Sequence, residues 1–276
     1  MAELTGLTFL VTGGNTGIGR ATAVQLAARG GRVHLACRSR AKGEAAVAAI
    51  RAETGSPDVE FLPLDLASLA SVRECAAAFR ALGEPLHVLI NNAGVSGRRG
   101  LTADGFELAF GVNHLGHFAL TTALLGCLAA PARVVTVASD AHYQARGVDY
   151  RAVRRRTRSL TGLPEYAVSK LCNVAFSAEL ARRAADRSVT AYSLHPGVVA
   201  SDIWRRIPQP FRALVTRRML TTQQGAQTSL YCATAPELAG VTGRYYGNCR
   251  EREPSAAVTA ELAAELWERS EAWTAA

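Results

Sequence analysis

The stretch Thr8-Phe9-Leu10-Val11-Thr12-Gly13-Gly14-Asn15-Thr16-Gly17-Ile18-Gly19 runs from a short apolar segment into a glycine-rich loop and then into an Ala/Leu-rich pattern near residues 18–29. Apolar β-branched residues predict a strand at Thr8–Val11, and the spaced alanines and leucines predict a helix after the loop. Glycines at 13, 17 and 19 allow a tight turn, close backbone approach to a pyrophosphate, and close packing of helix on strand. The helix start then offers unpaired N–H groups to phosphates, with Asn15, Thr16 and Ile18 beside them. Glycines alone say little; their position between a strand and a helix, followed by another strand–helix unit, points to a bound dinucleotide.

The rest of the chain repeats the alternation. Strands are predicted at Arg32–Ala36, Val59–Leu62, His87–Ile90, Arg133–Val137 and Val189–Leu194, and helices near 41–53, 69–81, 103–129 and 164–185. The strand runs are almost wholly apolar, as expected of a parallel sheet covered on both faces. After residue 195 come a Pro- and Arg-containing stretch (203–218), a helix near 223–234, a short strand at Arg244–Tyr246 and a last amphipathic helix near 256–273. No linker or repeat divides the chain. The expected fold class is α/β, a single-domain Rossmann-type doubly wound parallel sheet with helices on both faces, spanning 1–276.

The composition, 49% hydrophobic and 20% charged residues, is that of an ordinary globular protein. Six scattered cysteines (Cys37, Cys75, Cys127, Cys172, Cys232, Cys249) form no CxxC pair, and they read as reduced thiols of a cytoplasmic protein. No zinc-type spacing is present and no metal is expected. His114 and His117 lie three apart without a carboxylate partner and are expected to pack. No signal peptide, N-terminal anchor or membrane span is expected.

The net charge of +8 is concentrated: residues 140–220 hold fifteen Arg or Lys against six Asp or Glu. Such a field could attract an anionic substrate group or an acidic carrier protein, above all at the Arg-rich segment 146–158, although a solvated loop is the simpler account. Nucleic acid is disfavoured because no aromatic residues interleave with the arginines. Only two of the 31 basic residues are lysines, Lys42 and Lys170, which draws attention to where an ammonium itself matters.

Further motifs lie at predicted strand ends, where ligands of such sheets sit. After the second strand come Cys37-Arg38-Ser39-Arg40, with no carboxylate to hold a ribose 2′-hydroxyl. A guanidinium there can pair with a 2′-phosphate, so the expected cofactor is NADP(H), contacted by Arg38 with Ser39 or Lys42 assisting. Asp65 and Leu66 could hold the adenine edge, and Asn92, Ala93 and Gly94 could border the nicotinamide ribose. Tyr166 and Lys170, four apart on a predicted helix, share one face, so the cation can draw down the phenol pKa. Ser139 ends another strand and can bond a reacting oxygen, and Asn113 could hold Lys170 through a water.

The glycine loop, Asn91-Asn92-Ala93-Gly94, Asn113, Ser139 and Tyr166-x-x-x-Lys170 resemble, in this order, the short-chain dehydrogenase/reductase family. Ala36-Cys37-Arg38, Asn113-His114-Leu115-Gly116-His117-Phe118, His195-Pro196-Gly197-Val198-Val199 and Gly243-Arg244-Tyr245-Tyr246 liken it most to the retinol-dehydrogenase-like group. The resemblance implies Tyr166 as acid/base, Lys170 as its activator and ribose anchor, Ser139 as partner of the substrate oxygen and Asn113 as relay anchor. It also implies cofactor contacts at Pro196, Gly197, Val199 and Ser201, and a homodimer. Ala138 stands where relatives commonly carry a second Ser. The Arg-rich stretch between Ser139 and Tyr166 is long for the family, which with the missing anchor argues against a membrane-borne retinoid. Trp204, Phe211 and Met219 suggest a substrate lid at about 200–222, while Trp267 and Trp273 suggest docking of the last helix.

The expected function is hydride transfer between NADP(H) and a secondary alcohol or carbonyl of a small, lipophilic or natural-product (secondary-metabolism) substrate. The alternatives are a catalytically silent NADP(H) sensor, an anionic-partner-binding protein, or an epimerase or ring reductase on the same scaffold.

Overall fold

Every residue of β1 (Thr8–Thr12) is buried, with Phe9 and Val11 on one face of the sheet and Leu10 on the other, so this strand lies at the centre of a three-layer core. The computed structural model describes residues 3–199 and 220–275. Around β1 the chain forms α1 (Gly17–Ala27), β2 (Arg32–Cys37), α2 (Arg40–Thr54), β3 (Val59–Pro63), α3 (Leu69–Ala81) and β4 (Leu86–Asn91). There follow α4 (Gly116–Leu124), β5 (Leu128–Val137), α5 (Leu163–Arg183) and β6 (Val189–His195). The C-terminal part adds α6 (Thr222–Thr234), β7 (Arg244–Gly247), β8 (Arg250–Arg252) and α7 (Ala260–Thr274).

The sheet order is β3-β2-β1-β4-β5-β6-β7-β8, with parallel pairing throughout except between β7 and β8. The chain reverses its direction of travel across the sheet between β1 and β4, and a crevice at the carboxyl ends of those strands is where such folds bind ligands. Leu26, Ile50 and Leu230 of α1, α2 and α6 cover one face, and Phe79, Phe118 and Phe176 of α3, α4 and α5 cover the other. Trp267 of α7 lies edge-on to Phe118 at 4.9 Å and stacks on Phe176 at 5.9 Å, while Trp273 meets Phe106 at 5.3 Å. The two tryptophans thus dock the last helix, as its pattern predicts.

Two elements differ from the sequence expectation. The single helix predicted over 103–129 is interrupted: Gly105 turns with φ +77°, and Glu107 caps a helical turn (Leu108–Phe110) by accepting from Phe110 N at 2.9 Å. A π-helical turn (Gly111–Leu115) then leads into α4. The run Leu108–Cys127 is long and apolar enough to cross a membrane by length and composition, but most of it is buried inside the fold. The second difference is β8. Asn248 and Cys249 both adopt positive φ (53° and 56°), forming a two-residue hairpin that adds an antiparallel edge strand.

Candidate active site

Four segments meet at the carboxyl ends of β1, β4, β5 and β6, and Thr12 joins two of them. Its Oγ1 accepts from the backbone N–H of both Asn92 and Ala93 at 2.9 Å, and Asn92 Nδ2 donates to Thr12 O at 2.8 Å. The same hydroxyl meets His117 Nε2 at 2.8 Å, while His117 Nδ1 faces Asn113 O at 2.9 Å. A carbonyl can only accept, so Nδ1 carries the proton and Nε2 receives the threonine hydroxyl. Burial holds His117 near pKa 4, consistent with this neutral ring. His114 is likewise buried and bonded, to Ser270 Oγ at 2.9 Å, and both histidines serve packing.

The glycine loop closes against this frame. Gly13 and Gly17 adopt φ of +66° and +57°, and Gly13 N donates to Ala36 O at 2.7 Å. A Cβ on Gly19 would meet Asn92 Nδ2 and lie 2.5 Å from Gly13 O, whereas one on Gly17 would meet nothing within 4 Å. Gly17 therefore borders open space while Gly19 has none. Thr16 precedes α1 without a side-chain cap, and no acidic residue stands in the first turn, so the first N–H groups of this helix remain available. Val199 and Ile18 converge on Gly225, whose Cβ would lie 2.5 Å from Val199 Cγ2 and 3.3 Å from Ile18 Cγ1. Pro196 and Gly197 (φ +87°) carry the chain from β6 into this wall.

At the end of β2, Cys37 is buried, and Arg38 and Lys42 are exposed without an ion pair among the described residues. Arg40 is engaged by Glu44 at 3.0 Å. Ser39 acts locally, its hydroxyl capping α2 by accepting from Lys42 N at 3.4 Å. Asp65 Oδ1 accepts from Ala67 N at 3.0 Å, and the Leu66 carbonyl lies where a Cβ on Gly116 would come within 2.7 Å.

Ser139, just after β5, accepts from Ala141 N at 3.2 Å, and its hydroxyl acts on the titration of the Tyr166 phenol. Lys170 is buried one turn further along α5, its ammonium 5.6 Å from the centre of the Tyr166 ring and donating to Val137 O at 2.7 Å. The lowered phenol pKa expected from sequence is not what this environment gives. Burial pushes Tyr166 up, with Ser139 opposing it, and burial also pulls Lys170 down to about 7. Desolvation is the first cause of both shifts, and it favours the neutral form of each group. A phenol so held keeps its proton near neutrality and can give it to an oxygen placed beside it.

Asn113 is held by direct bonds within the protein. Its Oδ1 accepts from Val95 N at 2.7 Å, and its Nδ2 donates to Val95 O at 3.0 Å and Ser169 Oγ at 2.9 Å. The side chain thus fastens the loop after β4 onto α5. Asn113 and Lys170 border one spot, since a Cβ on Gly94 would lie 3.2 Å from Asn113 Oδ1 and 3.7 Å from Lys170 Nζ.

Sequence reading did not assign Thr12 or His142. His142 Nδ1 bonds Ser139 O at 2.8 Å and its Nε2 accepts from Ser255 N at 3.0 Å, tying the end of β5 to the segment after β8. Its nearness to Ser139 in the chain was the only signal. Ser201, Trp204, Phe211 and Met219, with nearly all of the expected lid, lie outside the described residues.

A short chain dehydrogenase family model matches residues 7–210. The human protein named dehydrogenase/reductase SDR family member 13 is 46% identical over 98% of this chain and 74% of its own length. Mouse retinol dehydrogenase 12 is 43% identical over 96% of this chain and 85% of its own. Among solved structures, an uncharacterised Mycobacterium paratuberculosis protein superposes with a TM-score of 0.80 at 33% identity, covering 100% of this chain and 96% of its own. A Burkholderia cenocepacia short chain dehydrogenase, solved in complex with NADP, gives 0.71 at 27% identity, over 89% and 97%. With its reversal of strand order, glycine loop and Ser139–Tyr166–Lys170 grouping at one end of the sheet, the chain belongs to the short-chain dehydrogenase/reductase family of oxidoreductases.

Proposed function

We propose that the protein is an NADP(H)-dependent oxidoreductase acting on a secondary alcohol or carbonyl group of a small, lipophilic or natural-product substrate, in the cytoplasm. The observation that carries this reading is the Tyr166 phenol, which senses Ser139 and stands one helical turn from Lys170, at the same end of the sheet as the glycine loop. The residues suit a nicotinamide dinucleotide: an uncapped helix start, open space beside Gly17, and a Gly94 that leaves room near Lys170. Arg38 and Lys42, exposed and without an ion pair among the described residues where an NAD-type site would place a carboxylate, favour the 2′-phosphorylated form. The Burkholderia structure with NADP supports the same choice. Relatives named as retinol dehydrogenases support an apolar substrate. Cys37, Cys75, Cys172 and Cys232, buried as free thiols, fit a reducing compartment.

When bound, the nicotinamide supplies or accepts the hydride. Each protein group has a separate task. In reduction Tyr166 protonates the developing alkoxide while Ser139 bonds the same oxygen; in oxidation Tyr166 withdraws the hydroxyl proton. Lys170 would gain a charge partner when a phenolate forms and so assist that deprotonation. Asn113 keeps the 94–95 loop in place. Proton transfer by a placed group contributes roughly 10²–10⁴-fold.

The test is NADPH consumption across a panel of carbonyl compounds beside NADP⁺ reduction across alcohols, with nucleotide affinities measured for the Arg38→Ala variant. The reading expects turnover in at least one direction and a loss of about tenfold or more in NADPH affinity with little change for NADH. Equal affinity of the wild-type chain for NADH and NADPH would remove the argument from Arg38.

A further inference from the structure

Beside the crevice, two loops join into one surface that the reaction leaves unused. Thr157 bonds Gly100 through both its backbone and its hydroxyl, and a Cβ on Gly162 would lie 2.9 Å from Arg98 O. The loop after β4 is thereby fixed to the loop before α5. The first presents Arg98 and Arg99, the second Arg155, Arg156 and Arg158, all exposed and none in a salt bridge among the described residues. The nearby carboxylates are already occupied. Glu165 accepts from the backbone N–H of Arg158 and Ser159, Glu107 is buried against Thr157, and Asp149 accepts from the N–H of Arg151 and Ala152.

The same surface carries apolar side chains that a solvated loop would not need. Leu160 is 88% exposed and Leu163 51% exposed, next to these arginines and three to six residues before Tyr166. Exposed guanidinium groups without a salt bridge among the described residues, flanking a protruding leucine, make a chemistry matched to an anionic bilayer, where the cations meet headgroups and the leucine enters the acyl boundary. An acidic protein would satisfy the charges but would also need a pocket for a side chain standing this far out.

We propose that this rim docks the protein reversibly on anionic lipid surfaces, with the mouth of the crevice turned toward the bilayer. The inference concerns binding alone and holds whether or not Tyr166 acts in the reaction.

The full chain is sedimented with vesicles of phosphatidylcholine containing phosphatidylserine, and with vesicles of phosphatidylcholine alone. Binding is expected to the first, weakening as salt rises. A guanidinium near an anionic leaflet is worth about fivefold in affinity, so the double variant Arg155→Gln/Arg156→Gln should bind roughly 25-fold more weakly. Leu160→Ser should weaken binding by up to about tenfold at unchanged net charge. Arg80→Gln/Arg187→Gln, with the same charge loss at positions away from the rim, should lose far less. Far-ultraviolet circular dichroism of each variant establishes that the fold is kept. Equal binding to both vesicle types, or equal losses in the two arginine pairs, overturns the proposal. So does an intact response in Leu160→Ser, or binding to an acidic polypeptide such as polyglutamate with none to vesicles.

Discussion

Lys170→Met should stabilise the cofactor-free protein while destroying its proposed activity. The ammonium is 4% exposed, and burial lowers its pKa from an ordinary 10.5 to about 7. At about 1.4 kcal/mol per pH unit, keeping this charge inside the fold costs about 4–5 kcal/mol. The direction follows from proton counts. Between pH 7 and 10.5 the unfolded chain holds a proton on this amine that the native chain has largely released, so native stability rises with pH across that window. It is lowest, and level with respect to this group, below pH 7. Methionine keeps the length of the side chain and carries no charge. The bond to Val137 O is lost, at about 1 kcal/mol, but Asn173 Nδ2 still donates to that carbonyl at 3.2 Å. The net gain for Lys170→Met is therefore about 3 kcal/mol at pH 7, falling below about 1 kcal/mol by pH 9.5. Urea unfolding of both proteins followed by tryptophan fluorescence at several pH values measures it. A variant no more stable than wild type at pH 7, or a gain that does not shrink with rising pH, would refute the reasoning.

Gly19→Ala drives a methyl against Asn92 Nδ2 and within 2.5 Å of the Gly13 carbonyl, so the glycine loop must move; nucleotide affinity should fall at least about tenfold, read by fluorescence titration. Cys249→Gly relieves a side chain at φ +56° in the β7–β8 hairpin, and thermal unfolding should show a gain of about 0.5–1 kcal/mol. His142→Phe strips Ser139 O of one donor and leaves Ser255 N unpaired, which should cost about 1–3 kcal/mol in urea melts; an unchanged midpoint would mean that this link carries nothing.

The alternation of strands and helices was legible because each parallel strand is an uninterrupted apolar run with helices over both faces. The run Phe9-Leu10-Val11 divides between the two core layers as that pattern requires. The grouping of Ser139, Tyr166 and Lys170 was legible for a similar reason, since helical spacing and strand ends fix where side chains can meet. The β8 strand was not, because the hairpin turn is Asn248-Cys249 where Asn-Gly would have announced it. The break in the 103–129 helix was hidden as well: Glu107 reads as an ordinary polar residue, and only the fold turns it inward onto Phe110 N and Thr157. The direction of the Tyr166 shift was not legible because sequence gives the spacing of phenol and amine but not how far each is desolvated, and desolvation sets that direction. Asn113 lies in the π-turn, and its direct bonds to Val95 and Ser169 could not be read from sequence spacing.

The proposed chemistry rests on the Tyr166 hydroxyl proton, and Tyr166→Phe removes that hydroxyl while keeping the ring. Single-turnover oxidation of bound NADPH by a carbonyl substrate of the wild-type enzyme, beside NADPH affinity from fluorescence titration, separates chemistry from binding. Tyr166→Phe is expected to lower the rate roughly 10²–10⁴-fold while NADPH affinity stays within about threefold of wild type. Hydride transfer at the wild-type rate in Tyr166→Phe would contradict it.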